Sequence, residues 1–306
     1  MLIEQSFFSL PEVLHGSGYQ SQSYESGIVS ALTLSLLQVL NGRNALNPIG
    51  CLQSEKLYRS TGMFGQVGPR YLRADLFANV ARLRVANKRL SQYGWRHENW
   101  LECKFLRGQA GDNGDQHAGN KSPATGAIMA DLLRLALLIP EAGDKTQSSR
   151  YFLHVYDADP KFYLTFRGRP WCKSLVTVGE QEIHFSGLEN EPAAIKKLIG
   201  DLPGVNVKLK VTNFHAGPLH VQHRPVYWCW LTRIDRVEAS HEQHTVTIDN
   251  NRTIIQSDNG LANIAAFIAS RLAILPESPD TRPPRPDEQE QAQVQAEDEV
   301  VTEVDE

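Results

Sequence analysis

Apolar residues recur at helical spacing along residues 24–40, where Ile28, Val29, Leu32, Leu36, Val39 and Leu40 fall on one stripe and Asn41-Gly42 supplies a stop. The period returns after Ser122, which caps a helix with Pro123 in its first turn; Ile128, Leu132, Leu135, Ala136 and Ile139 form its apolar face and Pro140 ends it. Between the two helices the pattern changes to extended segments over 71–80, 82–86 and 99–106, with turns at Asn87-Lys88 and Gly94, and a further apolar strand covers 151–156. Residues 1–22 read as an irregular arm or short helix, and the glycines and prolines of 43–70 read as loops with a short strand near 55–60. Residues 107–121 have no periodicity and read as a surface loop.

The second half is richer in strands. Segments 161–166, 175–178, 183–185, 205–212, 227–237 and 244–248 read as extended, with a short helix at 193–199 and a closing helix at 260–275. The alternation Val205-Asn206-Val207-Lys208-Leu209-Lys210-Val211 marks a strand with one buried face. The expected organisation is therefore an α/β core over 1–160, a β-rich extension or subdomain over 161–275, and a disordered acidic tail over 276–306, whose Pro-, Gln- and Glu-rich composition cannot bury enough apolar surface to order itself.

Composition adds three constraints. A hydrophobic share of 41% with 22% charged residues fits a water-soluble globular chain without a bilayer-spanning run, and the early Glu4 and Pro11 do not fit a signal peptide, so a cytoplasmic protein with no membrane partner is expected. Cys51, Cys103, Cys172 and Cys229 are too scattered for a zinc knuckle or a disulfide framework. Residues 276–306 hold 11 acids and 2 bases, so the net charge of −4 leaves residues 1–275 at +5, a mildly basic body compatible with a polyanionic partner.

The stretch with the most chemistry is Asn99-Trp100-Leu101-Glu102-Cys103-Lys104-Phe105-Leu106. Strand alternation places Glu102 and Lys104 on one face and Leu101, Cys103 and Phe105 on the other. Such a pair also suits a solvated edge strand. Upstream, Asp75 lies among apolar neighbours, and Glu25 heads the first helix on the side of its apolar stripe, where a helix dipole also favours an acid. Arg70, Arg73, Arg82, Arg84, Lys88, Arg89 and Arg96 interleave with Tyr71, Tyr93, Trp95 and Trp100, which suits a surface tracking phosphates and equally a solvated sheet face. His215, His220 and His223 gather around Gly217-Pro218 and could meet at a metal if the loop folds back.

An acid on a helix, an acid on a strand and Glu-x-Lys on a later strand resemble the PD-(D/E)XK nuclease superfamily, over roughly residues 20–160. Asp75, Glu102 and Lys104 match the Asp…Glu-x-Lys motif and Glu25 the helix glutamate, while Ala74 stands where the motif name has proline. The resemblance implies a restriction-endonuclease-like mixed sheet flanked by helices and a Mg²⁺-dependent endonuclease, with Mn²⁺ able to substitute. It further implies DNA as the expected substrate and a role in bacterial restriction or defence. Under it, Asp75, Glu102 and the carbonyl of Cys103 would hold the ion, Lys104 would act on the attacking water, and Glu25 would anchor a metal-bound water or second ion. Arg70, Arg73, Lys88, Arg107 and Lys121 would contact nucleic acid, and a homodimer or partner protein would be possible. The alternative from another class is a catalytically inactive nucleic-acid-binding or scaffolding subunit of a larger complex.

Overall fold

The computed structural model describes residues 1–16, 24–60, 72–85, 93–107, 109–110, 116–117, 121–136, 138–139, 148–164, 166–167, 169–185, 206–221, 224–241, 244–249 and 252–257, all within one unit, Met1–Arg271. The chain opens with two helices, α1 (Leu2–Gly16) and α2 (Glu25–Gly42), followed by strands β1 (Leu52–Ser60), β2 (Leu72–Asn79) and β3 (Glu98–Leu106). Then come α3 (Lys121–Ala136), β4 (Ser148–Tyr156), the short helix α4 (Pro170–Leu175), and strands β5 (Gly179–Phe185), β6 (Asn206–Ala216), β7 (Trp228–His241), β8 (His244–Asp249) and β9 (Arg252–Ser257).

Seven of these strands form one sheet in the order β5-β6-β7-β4-β3-β2-β1. The short pair Leu138–Ile139 extends the β1 edge, and the β8–β9 hairpin joins the far half of β7. Only β3 and β4 run parallel; the other neighbours are antiparallel. The chain is thus a mixed α/β protein with a mostly antiparallel sheet, and strands from its second half continue the sheet begun by the first through β4 and β7. No helix among the described residues is long and apolar enough to cross a membrane.

Helices cover both faces. Leu2, Ile3, Phe7, Leu10 and Leu14 of α1 join the α2 stripe against Leu101, Cys103, Leu153 and Leu231 on one face. Ile128, Leu132 and Leu135 of α3, with Trp171 and Leu175 of α4, cover Trp100, Phe152, Val211 and Trp230 on the other. The period-2 alternation of β3 follows directly: odd positions face α1 and α2, while even positions, including Glu102 and Lys104, share the α3 side with Trp100 and Leu106.

Several expectations need correction. Residues 2–16 form a full helix, with Pro11 inside it and an apolar stripe that buries five large side chains. The α3 helix ends at Ala136, and Ile139 belongs to an extended pair with the end of β1. A 3₁₀ turn over 160–162 opens the segment 161–166 that reads as a strand, and 175–178, also read as a strand, is the end of α4 and the turn after it. Within 107–121, Gln109–Ala110 pairs with Gln116–His117. The expected helices at 193–199 and 260–275 and the acidic tail lie outside the described residues.

Candidate active site

The ladder between β2 and β3 runs from Asn79↔Glu98 to Leu76↔Leu101 and stops there. Beyond that point β3 pairs with β4 alone, from Glu102↔Phe152 to Leu106↔Tyr156. The next register position would set Asp75 opposite Glu102. Instead the Asp75 side chain enters the gap: its Oδ2 accepts a hydrogen bond from the Cys103 backbone N–H at 2.6 Å. A strand residue directs its N–H and C=O to the same side, so the Cys103 carbonyl opens into this gap as well.

The β1–β2 ladder is interrupted at the same level. It pairs Ser54↔Leu76 and resumes at Lys56↔Ala74, skipping Glu55 and Asp75. Glu55 has a φ of 53°, a left-handed conformation uncommon for a glutamate. The irregularity also shifts the phase of β2, since Ala74 packs in the α3-side core while Leu76, two residues on, packs against α1 and α2. Asp75 therefore sits where both of its neighbouring strands let go of the backbone.

Around it the side chains are tied to one another. Tyr58 of β1 donates its hydroxyl hydrogen to Glu102 Oε1 at 3.2 Å. Lys104 Nζ lies 2.9 Å from Glu25 Oε1 and 3.5 Å from Asp131 Oδ2, and Asp131 is also paired with Arg134 one turn along α3. Glu102 and Asp131 are 6% and 5% exposed, so two carboxylates are held in the interior beside a single lysine and an arginine. Burial, reinforced by the Asp75 charge, pushes the Glu102 carboxyl up to about 8, against which Arg134, Tyr58 and Lys104 act. Asp75 is raised too, first by burial and then by the charges of Glu25 and Glu55, with the Cys103 hydrogen bond opposing.

The structure brings Asp75, Glu102, Lys104 and Glu25 into one cluster. Cys103 meets it through its backbone, while its thiol is buried on the opposite face and raised well above its usual range by burial. Among the described residues, no group of three or more His, Cys, Asp or Glu side chains is arranged to hold a metal ion. Of the expected nucleic-acid contacts, Arg73 lies 3.7 Å from Glu55 and Arg107 is exposed just beyond β3. Lys121 begins α3, though its side chain, like Arg70 and Lys88, lies outside the described residues. The histidine cluster is not assembled from described side chains: His215 stacks on Trp230 and Trp228, with ring centroids 4.3 and 6.0 Å away, and the His220 side chain and His223 lie outside them.

Three participants were not anticipated. Tyr58 gave no sequence signal. Asp131 did, as an acid between Ile128 and Leu132 on the apolar stripe of α3, with Arg134 three residues on. Glu55 sits at a strand irregularity that sequence cannot locate. Compared with family models, curated proteins and solved structures, the chain gives no match.

Proposed function

We propose that this chain is a metal-dependent nuclease of restriction-endonuclease-like organisation, hydrolysing phosphodiester bonds of DNA. The observation that carries the reading is the contact between the Asp75 carboxylate and the backbone of the Glu102-Cys103-Lys104 strand at the point where β2 and β3 part. The element order supports it: helix α2, three antiparallel strands β1 to β3, helix α3, then β4 parallel to β3. A helix, three strands, a helix and a strand is the order that the resemblance implies.

The donor set fits a hard divalent cation such as Mg²⁺, which takes oxygen ligands from one or two carboxylates and keeps several waters. Asp75, Glu102 and the Cys103 carbonyl would hold it. Both acids are raised because burial and like charge disfavour their ionised forms, so a cation placed between them would relieve that cost. When bound, the ion would supply an activated water and a Lewis acid for the phosphate.

The chain's own residues do the rest. Glu102 holds its proton at neutral pH and must release it to become a ligand, which makes ion uptake pH-dependent. Tyr58 fixes the orientation of Glu102 through its hydroxyl. Lys104 shares the face of Glu102 and carries the positive charge that would orient the water and offset charge developing on the phosphate. Glu25 and Asp131 hold the lysine ammonium in place from two different helices.

The same two ion pairs favour a second reading, a nucleic-acid-binding scaffold in which Lys104 is a structural link between α2, β3 and α3. Incubation with supercoiled plasmid separates the two. The nuclease reading expects nicked or linear DNA with Mg²⁺, none with EDTA, and loss of cutting in Glu102→Ala and Lys104→Ala. Binding without cutting, unaltered in both variants, would leave the scaffold.

A further inference from the structure

The polypeptide leaving β4 crosses the same end of the sheet as the candidate site. Asp157 N–H donates to the Leu106 carbonyl at 3.2 Å, at the end of β3, and Leu106 lies two residues, about 7 Å of strand, beyond Lys104. From there residues 160–178 contain Lys161, Arg167, Arg169 and Lys173 and no acid. The inner side of the segment is firmly anchored: Tyr163, Leu164, Trp171, Cys172 and Leu175 are buried in the α3-side core. Tyr163 also donates its hydroxyl to Asp157, and Asp159 caps the 3₁₀ turn by accepting from the Lys161 N–H at 3.0 Å.

Its outer side is unlike an ordinary loop. Phe162 is 43% exposed and Phe166 is 39% exposed, on either side of the buried Tyr163 and Leu164. Lys161 places its ammonium 5.3 Å from the centre of the Phe162 ring and 3.0 Å from Asp159, and Arg167 and Lys173 are exposed. Single exposed apolar residues are common on protein surfaces and need no explanation. Two phenylalanine rings set among four cations, on a rigid backing, form the combination that binds unpaired nucleotides: rings stack with bases while cations follow the phosphates. A duplex hides its base faces and would leave both rings without a partner.

We propose that the outer side of residues 160–164, 166–167 and 169–178 is a binding surface for single-stranded DNA that leads the strand towards the Asp75–Glu102–Lys104 cluster, with Arg107, exposed next to Leu106, continuing the phosphate track. Phe162 and Phe166 each stack on a base, and Lys161, Arg167 and Lys173 contact phosphates. The assignment rests on the nuclease reading for its direction, and on the surface itself for its ligand.

The test is fluorescence anisotropy of the full chain with a labelled dT20 strand and with a duplex of equal length, in EDTA so that nothing is cut, alongside plasmid cleavage in Mg²⁺. The wild type is expected to bind dT20 more tightly than the duplex. Phe162→Ala/Phe166→Ala should weaken dT20 binding by roughly tenfold or more. Arg167→Ala/Lys173→Ala should lower the slope of log affinity against log salt by about 1.4, at about 0.7 per phosphate contact on single strands. Far-UV circular dichroism of both variants should match the wild type, since all four side chains are exposed. If dT20 is bound and plasmid cut but both variants keep wild-type affinity and slope, the surface is wrong and the nuclease reading stands. Duplex binding tighter than dT20 overturns the single-strand assignment, and a wild type that neither binds nor cuts overturns both.

Discussion

Replacing Glu102 by Gln should make the metal-free protein more stable at pH 8, although it removes the residue on which the proposed chemistry depends. The wild-type carboxyl is displaced from 4.5 to about 8, chiefly by burial and then by Asp75. A carboxyl with a raised folded-state pKa contributes no penalty while both states are protonated, below about pH 4.5. Its cost grows as the unfolded chain ionises and the folded protein retains its proton, and is complete above about pH 8. At about 1.4 kcal/mol per tenfold change in proton affinity, the full displacement corresponds to an upper value of about 5 kcal/mol. A glutamine amide keeps an acceptor for the Tyr58 hydroxyl, so most of that cost should be recovered, about 2 to 5 kcal/mol. For a unit of this size that is a rise in Tm of roughly 4 to 20 °C. The assay is thermal unfolding of both proteins in EDTA from pH 4.5 to 9. The expected signature is a Tm difference that opens between pH 4.5 and 8 and closes again at acid pH. Equal or lower stability of Glu102→Gln at pH 8 would refute the argument that Glu102 is held in an electrostatically unfavourable place.

Tyr58→Phe removes a hydrogen bond that lowers the Glu102 pKa, so Glu102 should hold its proton to higher pH. A hydrogen bond to a charged group is worth about 1.5–3 kcal/mol, so Mg²⁺-dependent cutting at pH 7 should fall roughly tenfold or more and recover in part towards pH 9; a flat pH response would remove Tyr58 from the site. Asp131→Asn leaves Lys104 with Glu25 alone and takes the partner from Arg134. Because both cations are partly exposed, a stability loss of about 1–2 kcal/mol is expected by chemical denaturation, together with a lower kcat and an unchanged KM in plasmid cleavage. A raised KM with unchanged kcat would place Asp131 in substrate binding instead.

The sheet was legible wherever period-2 alternation met burial on one face, as in β6, because such a strand has one register in which its apolar side is covered; β3, buried on both faces, was legible from its β-favouring aromatics. The α2 stripe was legible for the same reason at period 3.6. Helix α1 carries an equally good stripe in Ile3, Phe7, Leu10 and Leu14, but the mixed composition and the Ser/Gly-rich run from His15 onward read as an irregular arm or short helix. Burial of that stripe against Leu153 and Leu231 outweighs the backbone hydrogen bond lost at Pro11. Residues 161–166 read as a strand because apolar side chains crowd there; the turn capped by Asp159 and the core contacts of Tyr163 and Leu164 decide otherwise. At the candidate site, Glu102 and Lys104 could be read as sharing a face from two-residue spacing alone. Tyr58, Glu55 and Asp131 come from a β1 irregularity and from the docking of α3, which are tertiary facts. The gap between β2 and β3 is likewise a tertiary fact, since residues 72–75 are as strand-like in sequence as 76–79.

The claim from which the rest follows is that Asp75 and Glu102 share one divalent cation. Anomalous scattering from crystals grown with Mn²⁺ at pH 8.5, where Glu102 is ionised, measures it directly. A single strong peak at about 2.0–2.3 Å from an oxygen of each carboxylate, lost in Glu102→Gln, is the predicted result. Mn²⁺ bound elsewhere, or no peak in the gap between β2 and β3, would contradict the account.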